Sequence, residues 1–505
     1  MVRLARPRSI GAALKRMIAH LQATPAAIVP ILASALVAGI VGIRLNISAN
    51  NDVFLQILAS EGLMRGQGYG FEAGEKSFYS IGSRATDTRW PPGITVLATG
   101  LRFITVDPLV TLARAQVLLA GITFYIVYLA LFRQLNDRAV SLAVTSASLG
   151  TTAYFDWHTE VASEPLFMLA LAILFLQLSL SGVQRRYRLL PCVWGLEMVR
   201  TAGAYISAGL GVVIFLAEKK QDPAKAFLKA ALSAVLFLTP LIVFHAYYGL
   251  HPNEHHRSDV SLINQILRQM FWQHQILLPH TDWMKRHEFT GFSLGTVCLL
   301  TSVYALWRFL RNGLERHRLA VAFVVLGLCY IAGLSLSSVL ARYDWGVVYR
   351  VSAVSVILLS LGWWSIVFLL PAFRMYARVL ILVAFAVAAL KTGWYLSTPR
   401  SVSVQRDYRA SVVAFQEFAS KTRNAPILLC AETMADRNYA RGVLYAAHTW
   451  WKPPVGILSA EFQTTGRGSD CARFVKDSGQ WRWAGGTGGG PTIEPEPSLS
   501  GRPVD

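Results

Sequence analysis

The sequence predicts an all-α polytopic membrane protein of about eleven transmembrane helices, with a small C-terminal extracytoplasmic α/β domain. The first observation is composition: of 505 residues, 53% are hydrophobic and only 15% are charged, whereas a soluble domain has about 25% charged residues. The second is patterning, because the apolar residues gather in stretches of about 20, which is the length a helix needs to cross a bilayer. Short basic clusters separate these stretches, as expected for cytoplasmic loops.

The charge balance bears on partners and on topology. The net charge is +19, from 48 basic and 29 acidic residues. Many of the cations lie in short clusters between apolar stretches, where membrane topology accounts for them, so we expect no nucleic-acid partner. Residues 1–24 are basic with no evident small-residue cleavage site, which indicates a cytoplasmic N-terminus followed by an uncleaved anchor.

The transmembrane domain is assigned to residues 25–396, and its apolar stretches are not all simple spans. The stretch 91–106 is too short to cross comfortably, so we expect an interfacial or re-entrant helix there. The stretch 139–155 is predicted to cross as one span. The stretch 189–217 contains Glu197, Arg200 and Gly203 and is predicted to form two short helices. A large His-rich loop over 251–288 is expected to lie in water outside.

The C-terminal part is predicted to be a periplasmic soluble domain over 397–484. Its apolar run Ala425–Cys430 indicates a buried strand, and the residues before and after it favour helices over Tyr408–Ala419 and Asp436–Ala447. Residues 485–505 are rich in Gly, Pro and Ser, a composition that predicts disorder.

Ionisable side chains inside or at the edge of apolar spans are costly, and they are therefore candidates for function. With the cytoplasmic N-terminus, the threading places them on the external face, in a first loop over 46–108, a second loop, the interrupted helix pair and a late external turn. The candidates are Asp52, Arg89, Asp156, Glu164, Arg200, Arg342 and Arg350. A carboxylate can take a proton from an attacking hydroxyl, and the arginine fork binds phosphate oxygens.

Several of these residues stand in short motifs that follow one another in a fixed order. The motifs are Asp52 at the start of a helical segment, Gly66-Gln67-Gly68-Tyr69, Trp90-Pro91-Pro92-Gly93, Ser163-Glu164-Pro165, Glu197-Met198-Val199-Arg200-Thr201, and the turn from Arg342-Tyr343 to Tyr349-Arg350. Their order resembles the GT-C superfamily of integral-membrane glycosyltransferases, which includes the protein mannosyltransferases and the aminoarabinose transferases. The resemblance covers roughly residues 25–400.

The resemblance implies a glycosyltransferase of the cell inner membrane. Such an enzyme transfers a sugar from a polyprenyl-phosphate lipid to a glycan, lipid or protein acceptor on the outer face. It implies that Asp52 is the catalytic base. Many relatives have a second acidic residue next to this one, whereas this chain has Val53, which disfavours a divalent metal held by adjacent carboxylates. No cofactor is expected.

The resemblance also implies which residues bind the lipid phosphate or the sugar. We expect Arg200 and Arg350 on the phosphate, and Asp156 or Glu164 as secondary polar contacts. Arg89 and Arg342 complete the predicted set.

Other interpretations remain open from the sequence alone. Asn51-Asp52 and Glu164-Pro165 both fit ordinary helix starts. The six histidines of 251–288 have irregular spacing, which favours a wet loop over a metal site. The alternative functions are a transporter or flippase of lipid-linked saccharides, for which matched broken helices would be expected, and an O-antigen-type polymerase or ligase.

Overall fold

The computed structural model describes most of the apolar part of the chain and four strands of its tail. The described residues are 28–45, 51–64, 66, 69, 91–105, 108–159, 161–181, 187–219, 222–248, 261–312, 318–340, 349–398, 427–430, 458–461, 472–477 and 480–484. Within these ranges some side chains, including those of Asp52 and Arg350, are not described.

The chain divides into two compact units. The first comprises Met1–Asn46, Thr88–Gly93 and Leu112–Pro399, and the second comprises Ile47–Asp87, Ile94–Thr111 and Arg400–Asp505. The first unit therefore contains most of the apolar stretches, and the second contains most of the first loop together with the tail.

The helices are numbered here in chain order. They are α1 (Ile28–Ile43), α2 (Asn51–Met64), α3 (Gly93–Arg102), α4 (Pro108–Leu135), α5 (Arg138–Leu149), α6 (Thr152–Thr159), α7 (Glu164–Ser181), α8 (Leu190–Val199), α9 (Gly203–Glu218), α10 (Pro223–Tyr248), α11 (Leu262–Trp272), α12 (Asp282–Arg286), α13 (Glu288–Asn312), α14 (Arg318–Leu340), α15 (Tyr349–Leu369) and α16 (Ala377–Ser397). Short 3-10 turns follow α11 and α15.

Six helices in the described part of the chain are long and apolar enough to cross a membrane, namely α4, α10, α13, α14, α15 and α16. Shorter apolar helices are α1, α7, α8 and α9. The prediction of an all-α, membrane-embedded domain is therefore confirmed for the described residues between 28 and 398. The number of about eleven spans stays a prediction.

The predicted interruptions of the apolar stretches have mixed outcomes. The helix within 91–106 is observed as α3, and 189–217 is observed as the predicted pair, α8 and α9. The interfacial or re-entrant position of α3 stays a prediction. The single span over 139–155 is wrong, because the chain breaks between α5 and α6 at Gly150 and Thr151. At about 1.5 Å per residue, α5 is about 18 Å long and cannot cross a hydrocarbon core of about 30 Å.

A buried lysine fastens the end of α5 to two other elements. Lys391 of α16 donates from Nζ to the carbonyl oxygen of Ala147 at 2.9 Å and to that of Ile276 at 3.0 Å. Ala147 is in the last turn of α5, and Ile276 ends the 3-10 turn after α11. The Nζ group therefore donates to carbonyl oxygens near the ends of two helical elements, where such oxygens have fewer partners within the helix.

The second unit contains most of the first loop and the β-sheet of the C-terminal tail. In the loop region, Arg102 of α3 donates from Nε to Ser60 Oγ of α2 at 2.7 Å. The tail strands are β1 (Ile427–Cys430), β2 (Leu458–Glu461), β3 (Ala472–Asp477) and β4 (Gln480–Ala484).

The four strands form one mixed sheet in the order β2-β1-β3-β4. β1 pairs in parallel with β2 and β3, whereas β3 and β4 pair antiparallel, with Asp477 opposite Gln480. The strand predicted within Ala425–Cys430 is therefore observed. The helices predicted over 408–419 and 436–447 and the disorder predicted over 485–505 lie outside the described residues.

Candidate functional site

The first unit brings two of the predicted site residues into direct contact. Glu164 at the start of α7 and Arg200 at the end of α8 form an ion pair, with Arg200 Nη1 2.5 Å from Glu164 Oε1. The same Nη1 donates to Ser163 Oγ at 2.8 Å, and Ser163 Oγ lies 3.4 Å from Glu164 Oε2. The Glu164 side chain is 2% exposed and that of Arg200 is 20% exposed, so the guanidinium is the part of the pair that reaches the protein surface. We call Ser163, Glu164 and Arg200 the Glu–Arg cluster.

Local structure explains the position of the carboxylate. Ser163 accepts the first helical hydrogen bond of α7, from Phe167 N to its own carbonyl oxygen at 3.1 Å. Glu164 therefore lies in the first turn, where unpaired N–H groups and the helix dipole stabilise a negative charge. Pro165 fits the first turn because its missing N–H group has no helical partner there.

Local structure also explains the position of the guanidinium. Arg200 is the C-terminal cap of α8 and has an extended backbone, with φ −150° and ψ 138°. The chain then turns tightly into α9, with Gly203 N donating to the Arg200 carbonyl oxygen at 2.9 Å. A Cβ on Gly203 would lie 2.8 Å from Glu197 N, so only glycine allows this approach.

A third segment of the chain packs against the turn between α8 and α9. Gly93, the last residue of the Trp-Pro-Pro-Gly motif, lies against the backbone just before Arg200. A Cβ at Gly93 would be 2.5 Å from the Met198 carbonyl oxygen and 3.2 Å from Val199 Cα. Two motifs that are far apart in the sequence are therefore in backbone contact, and glycine at this position is a requirement of packing.

Two tyrosines connect the Glu–Arg cluster to the start of α15. Tyr205 lies in the first turn of α9, shortly after Arg200 in the chain. Its ring contacts that of Tyr330 edge to face, with centroids 5.3 Å apart. Tyr330 donates to the Val351 carbonyl oxygen at 3.2 Å. Val351 directly follows Arg350, so the backbone of this second predicted phosphate ligand is held in the same network.

A buried histidine lies beside this network. His158 of α6 is fully buried, and its Nδ1 is 2.7 Å from the Tyr154 carbonyl oxygen. A carbonyl only accepts, so Nδ1 carries the proton and Nε2 has the free lone pair. Nε2 has no hydrogen-bond partner among the described residues. Burial lowers the pKa of His158 to about 4, against a smaller upward effect of the Glu164 charge, so the ring is neutral near pH 7.

The arrangement leaves part of Arg200 available to a ligand. Both contacts with the Glu–Arg cluster use Nη1, and Nε and Nη2 make no hydrogen bond to the described residues. The buried carboxylate fixes one edge of the guanidinium and keeps it oriented. The remaining N–H groups form the kind of fork that binds phosphate oxygens.

The other predicted residues are placed as follows. Asp52 is in the first turn of α2, in the second unit, and its side chain lies outside the described part. Asp156 is exposed on α6 and is not in the Glu–Arg cluster. The side chain of Arg350, and all of Arg89 and Arg342, lie outside the described residues.

The sequence did not single out Ser163, Tyr205 or Tyr330 as part of the site. Ser163 stands next to Glu164 in the quoted motif, so its position was a usable signal. The two tyrosines lie in apolar helices, where an aromatic residue is most often ordinary packing, and no local signal distinguishes them.

The expectation of a wet histidine loop is wrong for His274, whereas His287 is exposed as expected. His274 is fully buried in the 3-10 turn after α11, with Nδ1 2.6 Å from the Phe271 carbonyl oxygen. Burial lowers the pKa of His274. Among the described residues, no group of three or more His, Cys, Asp or Glu side chains is arranged to hold a metal ion.

Comparison with models of known protein families gives no match for this chain. Comparison with curated proteins likewise gives no significant match.

Proposed function

We propose that this protein is a glycosyltransferase of the GT-C kind, which transfers a sugar from a polyprenyl-phosphate lipid to an acceptor on the outer face of the inner membrane. The Glu–Arg cluster carries the proposal. A partly exposed arginine, oriented by a buried carboxylate at the break between two apolar helices, suits the phosphate of a membrane lipid.

In the proposed reaction, an acceptor hydroxyl oxygen bonds to the anomeric carbon of the sugar as the bond from that carbon to the phosphate oxygen breaks. Asp52 takes the hydroxyl proton. The electron pair of the broken bond stays on the polyprenyl phosphate, whose charge Arg200 and Arg350 stabilise. The leaving group is already a phosphate, so the reaction needs no general acid.

The role of Asp52 is tested by Asp52→Asn, which keeps the size and the capping ability of the side chain and removes the proton acceptor. The purified full chain is incubated with a panel of polyprenyl-phosphate sugars, and the free polyprenyl phosphate is measured. We expect turnover to fall by at least about a hundredfold.

Asp137→Asn is the matched control, because Asp137 caps α5 by accepting from Val140 N at 3.0 Å. A capping aspartate tolerates asparagine, so this variant should keep normal turnover. Near-normal turnover of Asp52→Asn would end the assignment of Asp52 as the base, and Asp156 would be tested next. Absence of free polyprenyl phosphate with every donor would end the proposed function itself.

The phosphate ligands are tested by Arg200→Lys and Arg350→Lys. Each keeps a positive charge and loses the planar fork, so binding of the phosphosugar should weaken more than folding does. Arg188→Lys, at an exposed arginine, is the control and should bind normally. Unchanged binding in both test variants would contradict the phosphate role.

The orientation follows from the positive-inside pattern. A reporter fused after Arg400 should be active only in the periplasm, and one fused at Arg311 only in the cytoplasm. If both reported the same side, the number of crossings between them would be even, and the placement of Arg342 and Arg350 would have to be derived again.

A further inference from the structure

The helix α11 has its polar side turned inward and its apolar side turned outward. Gln265 and Gln269 are buried, at 2% and 0% exposure. Gln269 donates from Nε2 to Ser352 Oγ of α15 at 2.9 Å. Ile263 is 68% exposed on the opposite side. A helix on the surface of a water-soluble protein has the reverse arrangement.

The exposed half of α11 carries two different stripes. At about 100° per residue, Ile263, Ile266 and Leu267 fall on one exposed stripe, and all three are exposed. Asn264 and Arg268 fall beside it on a second exposed stripe. An apolar stripe next to a polar stripe is the pattern of a helix that lies in the plane of a membrane interface.

The helix α11 packs against a helix that is itself a candidate membrane span with an apolar outer side. This helix is α13. A Cβ on Gly291 of α13 would lie 2.5 Å from the Phe271 ring, so a small residue permits this contact, as is common between membrane helices. The outer side of α13 is apolar and exposed at Val297 and Leu300.

Length and flanking residues agree with an interfacial position. Eleven residues give about 16 Å of helix, which is too short to cross the hydrocarbon core. The next helix, α12, carries exposed Trp283, Lys285 and Arg286. Tryptophan and basic residues are enriched where a membrane meets water.

We propose that α11 lies in the outer membrane interface, with the Ile263, Ile266 and Leu267 stripe in contact with lipid acyl chains. The Asn264 and Arg268 stripe faces the head groups and water. The segment that the sequence placed in an aqueous loop is thus a lipid-contacting surface of the protein. This inference does not depend on the proposed enzymatic activity.

The experiment compares neighbouring positions on the same helix. A nitroxide is attached through a ketone-bearing amino acid at Ile263 or at Asn264 in the full chain, which leaves the native cysteines untouched. The protein is reconstituted in liposomes, and relaxation of the label by oxygen, which concentrates in acyl chains, is compared with relaxation by a water-soluble nickel chelate. We expect oxygen to be the stronger relaxant at Ile263 and the nickel chelate at Asn264.

Two results would overturn the proposal. Stronger relaxation of the Ile263 label by nickel would place the stripe in water, and protection of this label from both agents would mean that protein covers it. Leu267 and Arg268 form a second adjacent pair on the same two stripes, and they give the same comparison if a label at Ile263 prevents folding.

Discussion

Removing Arg200 should destabilise the protein more than removing the charge of its partner Glu164. The two variants are Arg200→Met and Glu164→Gln. The carboxylate is 2% exposed and the guanidinium 20%, so the arginine reaches water without its partner and the glutamate does not. A glutamine at 164 can still accept a hydrogen bond from Arg200, whereas methionine at 200 replaces neither the charge nor the donor that Arg200 offers Glu164.

The magnitude follows from the geometry. At 2.5 Å and an effective dielectric constant of about 20, the gross attraction is about 7 kcal/mol, much of which offsets the cost of removing the carboxylate from water. Leaving a buried charge without its partner costs about 3–5 kcal/mol. Loss of a charged hydrogen bond with the partner still solvated costs about 1.5–3 kcal/mol. We therefore expect Arg200→Met to cost more than Glu164→Gln.

The assay is equilibrium unfolding in mixed micelles of a mild detergent and a denaturing one, with the free energy of unfolding compared among wild type, both single variants and the double variant. The double variant has no buried charge to strand, so it should be more stable than Arg200→Met alone. If the two single costs were equal and simply added in the double variant, Glu164 and Arg200 would not be coupled and the Glu–Arg cluster would not exist as described.

Three further predictions concern the packing of Gly93, the buried side chain of Lys391 and the pH dependence of stability that His158 causes. Gly93→Ala should destabilise the protein by about 1–3 kcal/mol, because the added Cβ would meet the Met198 carbonyl oxygen. Gly100→Ala is the control in the same helix; its Cβ has open space and should stabilise the protein by up to about 1 kcal/mol. Equal free energies of unfolding for the two variants would contradict the close contact at Gly93. Lys391→Met removes the donor of two carbonyl oxygens, at about 1–3 kcal/mol each, and should lower the free energy of unfolding by about 2–6 kcal/mol. The control is Lys225→Met, at an exposed lysine whose loss should cost about 1 kcal/mol or less. Burial lowers the pKa of His158 in the folded protein from 6.5 to about 4, so between these pH values the unfolded chain binds one more proton. The free energy of unfolding should therefore fall as the pH is lowered from 6.5 to 4, by up to about 1.4 kcal/mol per pH unit. An unfolding titration of His158→Gln should show a shallower fall than wild type, and identical slopes would rule out the neutral buried histidine.

The elements of the membrane part were largely predictable because their signals are local. A run of apolar residues forms a helix wherever it meets lipid, since the backbone must satisfy its own hydrogen bonds there. The break before α9 was also predictable, because Arg200 and Gly203 interrupt an apolar run. The break between α5 and α6 was missed, although Gly150, Thr151 and Thr152 form a cluster of the kind that favours a loop.

The site was predictable as a set of candidate residues but not as an arrangement. Ionisable residues at the ends of apolar stretches identified Glu164 and Arg200 as candidates, because such groups are costly in a membrane. Their mutual pairing was not predicted, and each was instead assigned to substrate. The assignments of Asp52 and Arg350 to chemistry stay predictions.

The sequence by itself determined which segments are apolar helices, where the stretch 189–217 breaks, and which residues are too costly to be in the membrane without a role. The tertiary structure alone decided the partners. Arg200 meets Ser163 from 37 residues away, and Lys391 meets Ala147 from 244 residues away. It also decided which side of α11 faces inward. The physical reason is that helix formation depends on neighbours along the chain, whereas the choice of the buried face depends on the surrounding solvent. In the lipid contact proposed for α11, the glutamines rather than the isoleucines gain from packing against protein.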